Sequence, residues 1–396
     1  MQITEFDVIP VAHREPPVLN SWGVHPAAQA RTVVRIRTAD GLEGVGETYG
    51  DATLIEELEN ASDDITGTNP YDREPIRQSL SREAYGAYET AVFDVIGKAV
   101  GEPVHRLLGG KLRNSVEFSA YLFYKYADPD PDAAAICPEE VRTPEAMVEQ
   151  AKAFHRVHGF EEFKLKGGVF EPELELETLE LMAAHFGADQ PFRIDPNGAW
   201  TEATTIHADQ RLAASEVNLQ FLEDPVMDHT DRVSIAGELS HSYATNHIDT
   251  LEELAEEITD DCIDVVLSDH HYFGGLSYNQ AVGEIAKFFD VGVGMHSTSH
   301  LGISMAAMVH SAATMPTLDY ACDTHYPWQS DDVITDTFEF ENGCLDVPDE
   351  PGLGVTIDED ELERLHQQYQ QTEIIGSTEA MRQRDPDFVP NTEEKW

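Results

Sequence analysis

Seven polar residues recur at a nearly constant interval along the middle of this 396-residue chain, each at the end of a short apolar run. Successive members are 23 to 29 residues apart, which is the length that one strand, one helix and two loops need. The repetition predicts a β/α barrel, in which functional side chains lie at the C-terminal ends of the strands. The seven residues are Lys166, Asp195, Glu223, Asn246, Asp269, His296 and His325.

Apolar patterning divides the chain into three parts. Residues 1–115 are predicted to form an α+β capping domain with strands at 2–11 and 32–37, a Gly-rich turn at 41–46 and a helix at 89–100. Residues 116–340 are predicted to form the TIM-type (β/α) barrel, an α/β fold, and residues 341–396 to return to the cap. The eight predicted barrel strands are 116–122, 163–166, 192–195, 219–223, 243–246, 265–269, 291–296 and 318–324.

Acidic residues outnumber basic ones 75 to 25, for a formal charge of -50, and only eight residues are lysine. This charge makes nucleic acid and anionic membranes unfavourable partners. The acids are spread throughout instead of forming a tail, which is typical of haloarchaeal proteins, where molar salt screens repulsion. No signal peptide, spanning segment or paired cysteine spacing is visible, so a cytoplasmic protein is expected.

Three successive strand ends carry oxygen donors, namely Asp195, Glu223 and Asn246. Hard oxygen ligands with no His or Cys among them suit Mg²⁺. A single Asp at a strand end is more often a helix cap, but three in succession favour a metal site.

Lys164 and Lys166 lie on the same face of one predicted strand, because strand side chains alternate. Each ammonium is expected to lower the pKa of the other, which would help Lys166 act as a neutral base. A solvated pair on a sheet edge is the alternative, but Phe163 and Leu165 beside them look buried.

Asp269 and His296 end neighbouring strands, so carboxylate and imidazole are expected to form a hydrogen bond that raises the basicity of the ring. A lysine base and a histidine base on opposite walls of a metal site suit a carbon acid whose α-proton can lie on either face.

Several motifs of the chain resemble those of the enolase superfamily, mandelate racemase branch, and within it the glucarate dehydratase family. The likeness runs from Asn20 to Met381. Many relatives carry a third acidic ligand at the position of Asn246. An asparagine there resembles the pattern of the glucarate subgroup. The motifs are Lys164-Leu-Lys166-Gly-Gly, Asp195-Pro-Asn197-Gly-Ala-Trp, Glu223-Asp-Pro, Ala244-Thr-Asn246, His296-Ser297, Asp323-Thr-His325 and Pro351-Gly-Leu-Gly.

The resemblance implies Mg²⁺-dependent dehydration of an acid sugar, most directly D-glucarate, to a 2-keto-3-deoxy acid. Lys166 or His296, the latter paired with Asp269, would remove the α-proton, and the ene-diolate would expel the β-hydroxyl. Lys164 would help neutralise the substrate carboxylate, with Asn197 as a further catalytic candidate. The residues implied in substrate binding are His25, Tyr121, Lys164, Asn197, Ser297, Thr298 and His325.

Three positions depart from the family pattern. Gly86 stands where a cap threonine is usual, Thr298 replaces an asparagine, and Ser377 matches an arginine that would hold the second carboxylate of a diacid. Arg382 or Arg384 would have to substitute for that arginine. If neither does, the substrate is expected to carry one carboxylate.

Other functions remain open. The alternatives are dehydration of galactarate or of an aldonate such as gluconate, epimerisation by the same two bases, and a non-catalytic barrel, which would predict loss of a base or ligand. The expected partner is a small acid sugar, and a homo-oligomer is expected.

Overall fold

The computed structural model describes residues 1–130, 136–393 and 395–396. The strands are β1 (Ile3–Arg14), β2 (Leu19–Asn20), β3 (Gly23–Val24), β4 (Ala28–Thr38), β5 (Glu43–Tyr49), β6 (Ser115–Phe123), β7 (Phe163–Lys166), β8 (Pro191–Asp195), β9 (Asn218–Glu223), β10 (Ser242–Thr245), β11 (Val265–Ser268), β12 (Gly292–Met295), β13 (Cys322–Thr324) and β14 (Cys344–Asp346). The α-helices are α1 (Ala52–Ile65), α2 (Glu74–Arg77), α3 (Arg82–Val100), α4 (Val104–Leu107), α5 (Pro144–His158), α6 (Pro172–Phe186), α7 (Glu202–Ala213), α8 (His229–Ile235), α9 (Leu251–Thr259), α10 (Leu276–Phe289), α11 (Gly302–Thr314), α12 (Glu359–Gln371) and α13 (Ser377–Arg382).

The N-terminal part is an antiparallel sheet of order β1-β4-β5 covered by α3. The turn predicted at 41–46 is wrong over most of its length, because β5 begins at Glu43 and pairs with β4, placing Gly46 opposite Val34. Gly44 and Gly46 face α3, and a Cβ on either would overlap a helix carbonyl, that of Ala91 or Ala87. These glycines therefore serve close strand–helix packing.

Gly46→Ala is expected to lower the free energy of unfolding by about 1–3 kcal/mol, since the new methyl group meets helix backbone that cannot move cheaply. Gly376→Ala is the matched control, because no heavy atom lies within 4 Å of its added Cβ and its φ is -83°. Urea unfolding of both variants at constant salt tests this. Equal urea midpoints for the two variants would contradict the prediction and show that α3 shifts to accommodate the methyl group without strain.

The second part is a nearly closed parallel barrel whose strand order is β12-β11-β10-β9-β8-β7-β6-β13. All eight predicted barrel strands are present, so the predicted fold is confirmed. Backbone hydrogen bonds from Asp319 and Tyr320 to the carbonyl of Val293 join the region before β13 to β12. Parallel strands place their C-terminal ends at one end of the barrel, which gathers the recurring polar residues there.

Local signals fix the outer helices. Helix α5 begins with Pro144 after the N-cap Thr143. It ends at His158, followed by the C-cap Gly159, which has φ 72°. Helix α9 begins with a capping box in which Thr250 and Glu253 exchange side-chain-to-backbone hydrogen bonds.

The C-terminal segment contacts both parts of the molecule. Strand β14 pairs with β6, α12 packs against β1, and α13 packs against β3. Asn391 donates to the carbonyl of Gly168 over 2.8 Å, in the loop that follows Lys166. In the described parts of the chain, no helix combines the length and apolarity that crossing a membrane requires.

Candidate active site

The seven recurring polar residues occupy one end of the barrel. Each is the last residue of its strand or the residue directly after it. Beside them, a cavity of about 120 Å³ opens between the barrel and the β2–β3 hairpin of the cap. Its lining residues are Asn20, Trp22, His25, Tyr121, Phe123, Lys166, Asn197, Asn246, His247, Tyr272, His296, Thr298 and His325.

Both lysines of β7 are buried and bound to carboxylates, so the solvated-pair alternative is wrong. Lys164 Nζ lies 2.6 Å from Glu223 Oε1 and 2.6 Å from Asp323 Oδ2. Lys166 Nζ lies 2.6 Å from Asp195 Oδ2. These contacts hold both amine nitrogens in place, that of Lys166 at the cavity and that of Lys164 outside its lining.

The predicted lowering of the lysine pKa values is wrong for Lys164. Burial lowers the pKa of this group, but the carboxylates of Asp323, Glu223 and Asp195 outweigh burial and raise it above its ordinary value. The prediction counted only the neighbouring lysine, because the sequence pattern does not show that three acids converge on this point.

The three oxygen donors predicted to bind metal lie side by side and are buried. Asn246 Nδ2 is 3.5 Å from Glu223 Oε1, and Tyr121 Oη donates to Asp195 Oδ2 over 3.1 Å. Two of their oxygen atoms, Glu223 Oε2 and Asn246 Oδ1, have no hydrogen-bond partner in the described parts of the chain. Burial and the nearby Asp195 raise the pKa of Glu223 well above its usual range. A bound cation would give these two oxygen atoms a partner and would favour the ionised form of Glu223.

Asp269 and His296 form the predicted pair. His296 Nδ1 lies 3.1 Å from Asp269 Oδ2, and the backbone N–H of His271 donates to Oδ1 over 2.8 Å. Burial alone would raise the pKa of Asp269, but the His296 hydrogen bond and nearby imidazoles hold it well below its usual range. Tyr272 stacks on the His296 ring at 5.5 Å. The pair is thus preorganised as an ionised carboxylate behind an imidazole that faces the cavity.

Five of the seven predicted substrate-binding residues line the cavity: His25, Tyr121, Asn197, Thr298 and His325. Lys164 lies outside the lining and is held by its carboxylates. Ser297 is also outside the lining and fully buried. Asn197 donates through Nδ2 to Asp195 Oδ1 over 2.9 Å, so it also orients a predicted metal ligand.

Gly86 and Ser377, two of the positions that depart from the family pattern, do not line the cavity. Gly86 is buried in α3, where an added Cβ would lie 3.1 Å from the carbonyl oxygen of His270. Ser377 begins α13, Arg382 donates to the carbonyl of Phe388, and Arg384 stacks on Tyr126. No arginine is among the cavity-lining residues in the described parts of the chain.

Sequence reasoning missed several cavity residues that do not end barrel strands, and one buried partner. Trp22, His247 and Tyr272 line the cavity. Glu15 lies behind it, with its Oε2 2.6 Å from His25 Nδ1. The family resemblance pointed to His25, but Glu15 lies ten residues away in the sequence and belongs to none of the motifs.

Comparisons with known proteins identify the family of the chain. Residues 3–109 match the mandelate racemase / muconate lactonizing enzyme N-terminal domain, and residues 146–361 match the enolase C-terminal domain-like family. The chain belongs to the enolase superfamily. The resemblance read from the motifs is therefore confirmed.

Within this superfamily, the chain is 39% identical over 432 residues to a probable glucarate dehydratase of Streptomyces coelicolor, covering 100% of this chain and 99% of the relative. It is 26% identical to an arabinonate dehydratase of Saccharolobus solfataricus, over 71% of each protein. A crystal structure of an enolase from Thermobispora bispora complexed with magnesium and formate is 38% identical, with a TM-score of 0.92 and 99% of both chains covered. The chain is a dehydratase-type enzyme, a hydro-lyase similar to glucarate dehydratases.

Proposed function

We propose that this enolase-superfamily member catalyses the Mg²⁺-dependent dehydration of an acid sugar, with D-glucarate as the first candidate and 5-dehydro-4-deoxyglucarate as its product. The observation that carries the proposal is the cavity itself. Two basic side chains, Lys166 and His296, line it together with Asn246. The buried carboxylates of Asp195 and Glu223 contact these lining residues, Asp195 at Lys166 and Glu223 at Asn246. The full-length likeness to a probable glucarate dehydratase supports the choice of substrate.

The donor set fits Mg²⁺. Asp195, Glu223 and Asn246 would hold the ion, since they offer only oxygen, and buried oxygens of Glu223 and Asn246 lack partners among the described residues. Bound there, Mg²⁺ would neutralise negative charge that develops on the substrate carboxylate. Enzymes of this superfamily use a Lys or His base, with Mg²⁺ stabilising the ene-diolate.

The protein's own residues would carry the proton transfers. His296, with Asp269 behind it, would remove an α-proton presented on its side of the cavity, and Lys166 one presented on the other side. Lys164, tied to Glu223 and Asp323, would add positive charge near the carboxylate. Loss of the β-hydroxyl would then give an enol that becomes the 2-keto-3-deoxy acid.

A monocarboxylic aldonate is the second candidate. The cavity-lining residues of the described chain include no arginine, whereas bidentate recognition of a second carboxylate favours one. The similarity to an arabinonate dehydratase points the same way. His25, His247 and His325 are the remaining groups that could receive a distal carboxylate.

A semicarbazide assay for 2-keto-3-deoxy acids tests the proposal, using hexarates, hexonates and pentonates with Mg²⁺ in molar KCl, as the predicted salt adaptation requires. Turnover of glucarate is the expected result, and turnover of monoacids alone would transfer the assignment to an aldonate. Epimerisation without this product, or no reaction with any acid sugar, would overturn the proposal.

A further inference from the structure

A histidine, a glutamate and a cysteine meet between the outer helices α8 and α9. His229 is the first residue of α8, Glu257 lies in the last turn of α9, and Cys262 follows that helix. Cys262 Sγ donates to Glu257 Oε2 over 2.8 Å, and His229 Nδ1 lies 3.0 Å from Glu257 Oε1 and 4.0 Å from Sγ. None of the three residues lines the cavity. Nitrogen, oxygen and sulfur donors thus converge at a point that the proposed dehydration does not use.

Asp260 fixes the orientation of the His229 ring. Asp260 Oδ2 lies 3.0 Å from His229 Nε2, so the other ring nitrogen, Nδ1, is the one that faces Glu257 and Cys262. In metal sites, a carboxylate on the second nitrogen of a ligating histidine sets the tautomer and strengthens the ligand. Asp260 therefore leaves Nδ1 for an ion.

Arg232 and burial hold the other two donors in place. Arg232 Nε donates to Glu257 Oε2 over 3.1 Å, and its Nη2 donates to Oε1. Each carboxylate oxygen has two lone-pair sites, so this contact leaves room for a further bond. Glu257 and Cys262 are 4% and 1% exposed, whereas the His229 side chain is 32% exposed. The donors are therefore preorganised, and an ion can reach them from solvent.

We propose that His229, Glu257 and Cys262 bind a transition-metal ion, with Zn²⁺ as the best fit, which joins α8 to the loop between α9 and β11. Cysteine, histidine and carboxylate ligands in a tetrahedron are typical of Zn²⁺, and water would complete the coordination. The thiol and His229 Nδ1 each lose a proton on binding, and their bonds to the ion take its place. The sulfur and nitrogen donors disfavour Mg²⁺, which prefers oxygen.

The distances and charges of the cluster suit this ion. Ligand atoms of the three side chains lie within 4.8 Å of one another. Tetrahedral Zn²⁺ at its usual bond lengths separates such atoms by about 3.4–3.6 Å. The sulfur–oxygen and sulfur–nitrogen distances of 2.8 and 4.0 Å bracket that range. The Cys262 thiolate, Glu257 and Asp260 would balance the charges of Zn²⁺ and Arg232, so the ion would add no uncompensated charge.

Cobalt titration tests the assignment, because Co²⁺ accepts the ligands of Zn²⁺ and a cobalt–thiolate bond absorbs in the near ultraviolet. Chelator-treated full-length protein is titrated with Co²⁺ in molar KCl, with excess Mg²⁺ to compete at oxygen-only sites, and Zn²⁺ is then added to displace the cobalt. The variants are Cys262→Ser, His229→Gln and Asp260→Asn.

Two further variants serve as matched controls. Cys344→Ser removes another thiol, and in the described parts of the chain Cys344 belongs to no group of three such donors within 4.8 Å. His207→Gln removes another surface imidazole, one that bonds Glu173 from α7. Both controls are expected to behave as wild type does.

Wild-type protein is expected to bind one Co²⁺ per chain with a thiolate absorption that Zn²⁺ removes. Cys262→Ser is expected to lose this absorption, and Asp260→Asn to bind Co²⁺ about 10–100-fold more weakly. His229→Gln is expected to lose more than about 100-fold, since it removes a ligand and not only its partner. Zn²⁺ is expected to raise the urea midpoint of wild type and controls, and not that of Cys262→Ser, because it binds the folded state.

Absence of the thiolate absorption in wild-type protein would overturn the inference. Equal Co²⁺ affinity in wild type, His229→Gln and Cys262→Ser would overturn it as well. Circular dichroism of the metal-free variants shows whether each is folded, and the partly exposed His229 keeps the test decisive if Cys262→Ser does not fold. The result is independent of the proposed dehydration, because metal binding is measured without substrate.

Discussion

Asp269→Asn is expected to lower the rate of α-proton removal by His296 about 10²–10⁴-fold. The backbone N–H of His271 already donates to Asp269 Oδ1, so the oxygen of the introduced amide would keep that place. The amide N–H would then face His296 Nδ1, which would have to become the acceptor. The ring would hold its proton on the cavity side and lose the carboxylate that stabilises the imidazolium.

Hydrogen exchange in D₂O, measured on two acid sugars that are epimers at the α-carbon, tests this prediction. Exchange should fall for the epimer whose proton faces His296 and stay within about tenfold for the one that faces Lys166. Asp290→Asn is the control, since Asp290 is an exposed C-cap in the left-handed region. An equal fall in the exchange rate for both epimers would contradict the proposal that His296 and Lys166 act as separate bases on two walls of the cavity.

Glu47→Gln is expected to lower the free energy of unfolding by about 3–5 kcal/mol, because it leaves a buried guanidinium without its counter-charge. Arg31 Nε lies 2.8 Å from Glu47 Oε1, and both residues are 1% exposed. Glu47 also accepts the backbone N–H groups of Leu301 and Ser304 over 3.0 and 2.8 Å. A side chain of the capping domain thus accepts the free N–H groups at the start of barrel helix α11. The variant is therefore expected to weaken the contact between the two domains.

Chemical unfolding at fixed salt compares Glu47→Gln with Glu5→Gln. Glu5 pairs with Arg37 on the exposed surface, where the loss is expected to stay below about 1 kcal/mol. Similar small losses for both variants would show that water or a rearranged Arg31 compensates the buried charge.

The barrel and its polar strand ends were predictable because they depend on local periodicity. Each apolar run ends at a polar residue, and parallel strands bring those residues together whatever the loops do. The Asp269–His296 contact follows from adjacency of two strands. The family resemblance added His25, Tyr121, Asn197 and Thr298, which line the cavity.

Features that depend on long-range packing were not predictable in the same way. Asp323 meets Lys164 from 159 residues away, and that contact reverses the expected direction of the lysine pKa. Glu15 joins His25 through a hairpin and Ser299 through the barrel. Gly44 and Gly46 look like turn residues until α3 lies against them.

We propose that the buried oxygen donors and the two bases at the cavity form a Mg²⁺-dependent dehydratase site. The most direct measurement is a Mg²⁺ titration of chelator-treated protein in molar KCl, with its best acid sugar and detection of the keto product by NMR. We expect no product without metal and saturable recovery with Mg²⁺, and we expect Glu223→Gln to abolish that recovery. Full turnover after chelation, or recovery in Glu223→Gln equal to wild type, would contradict it.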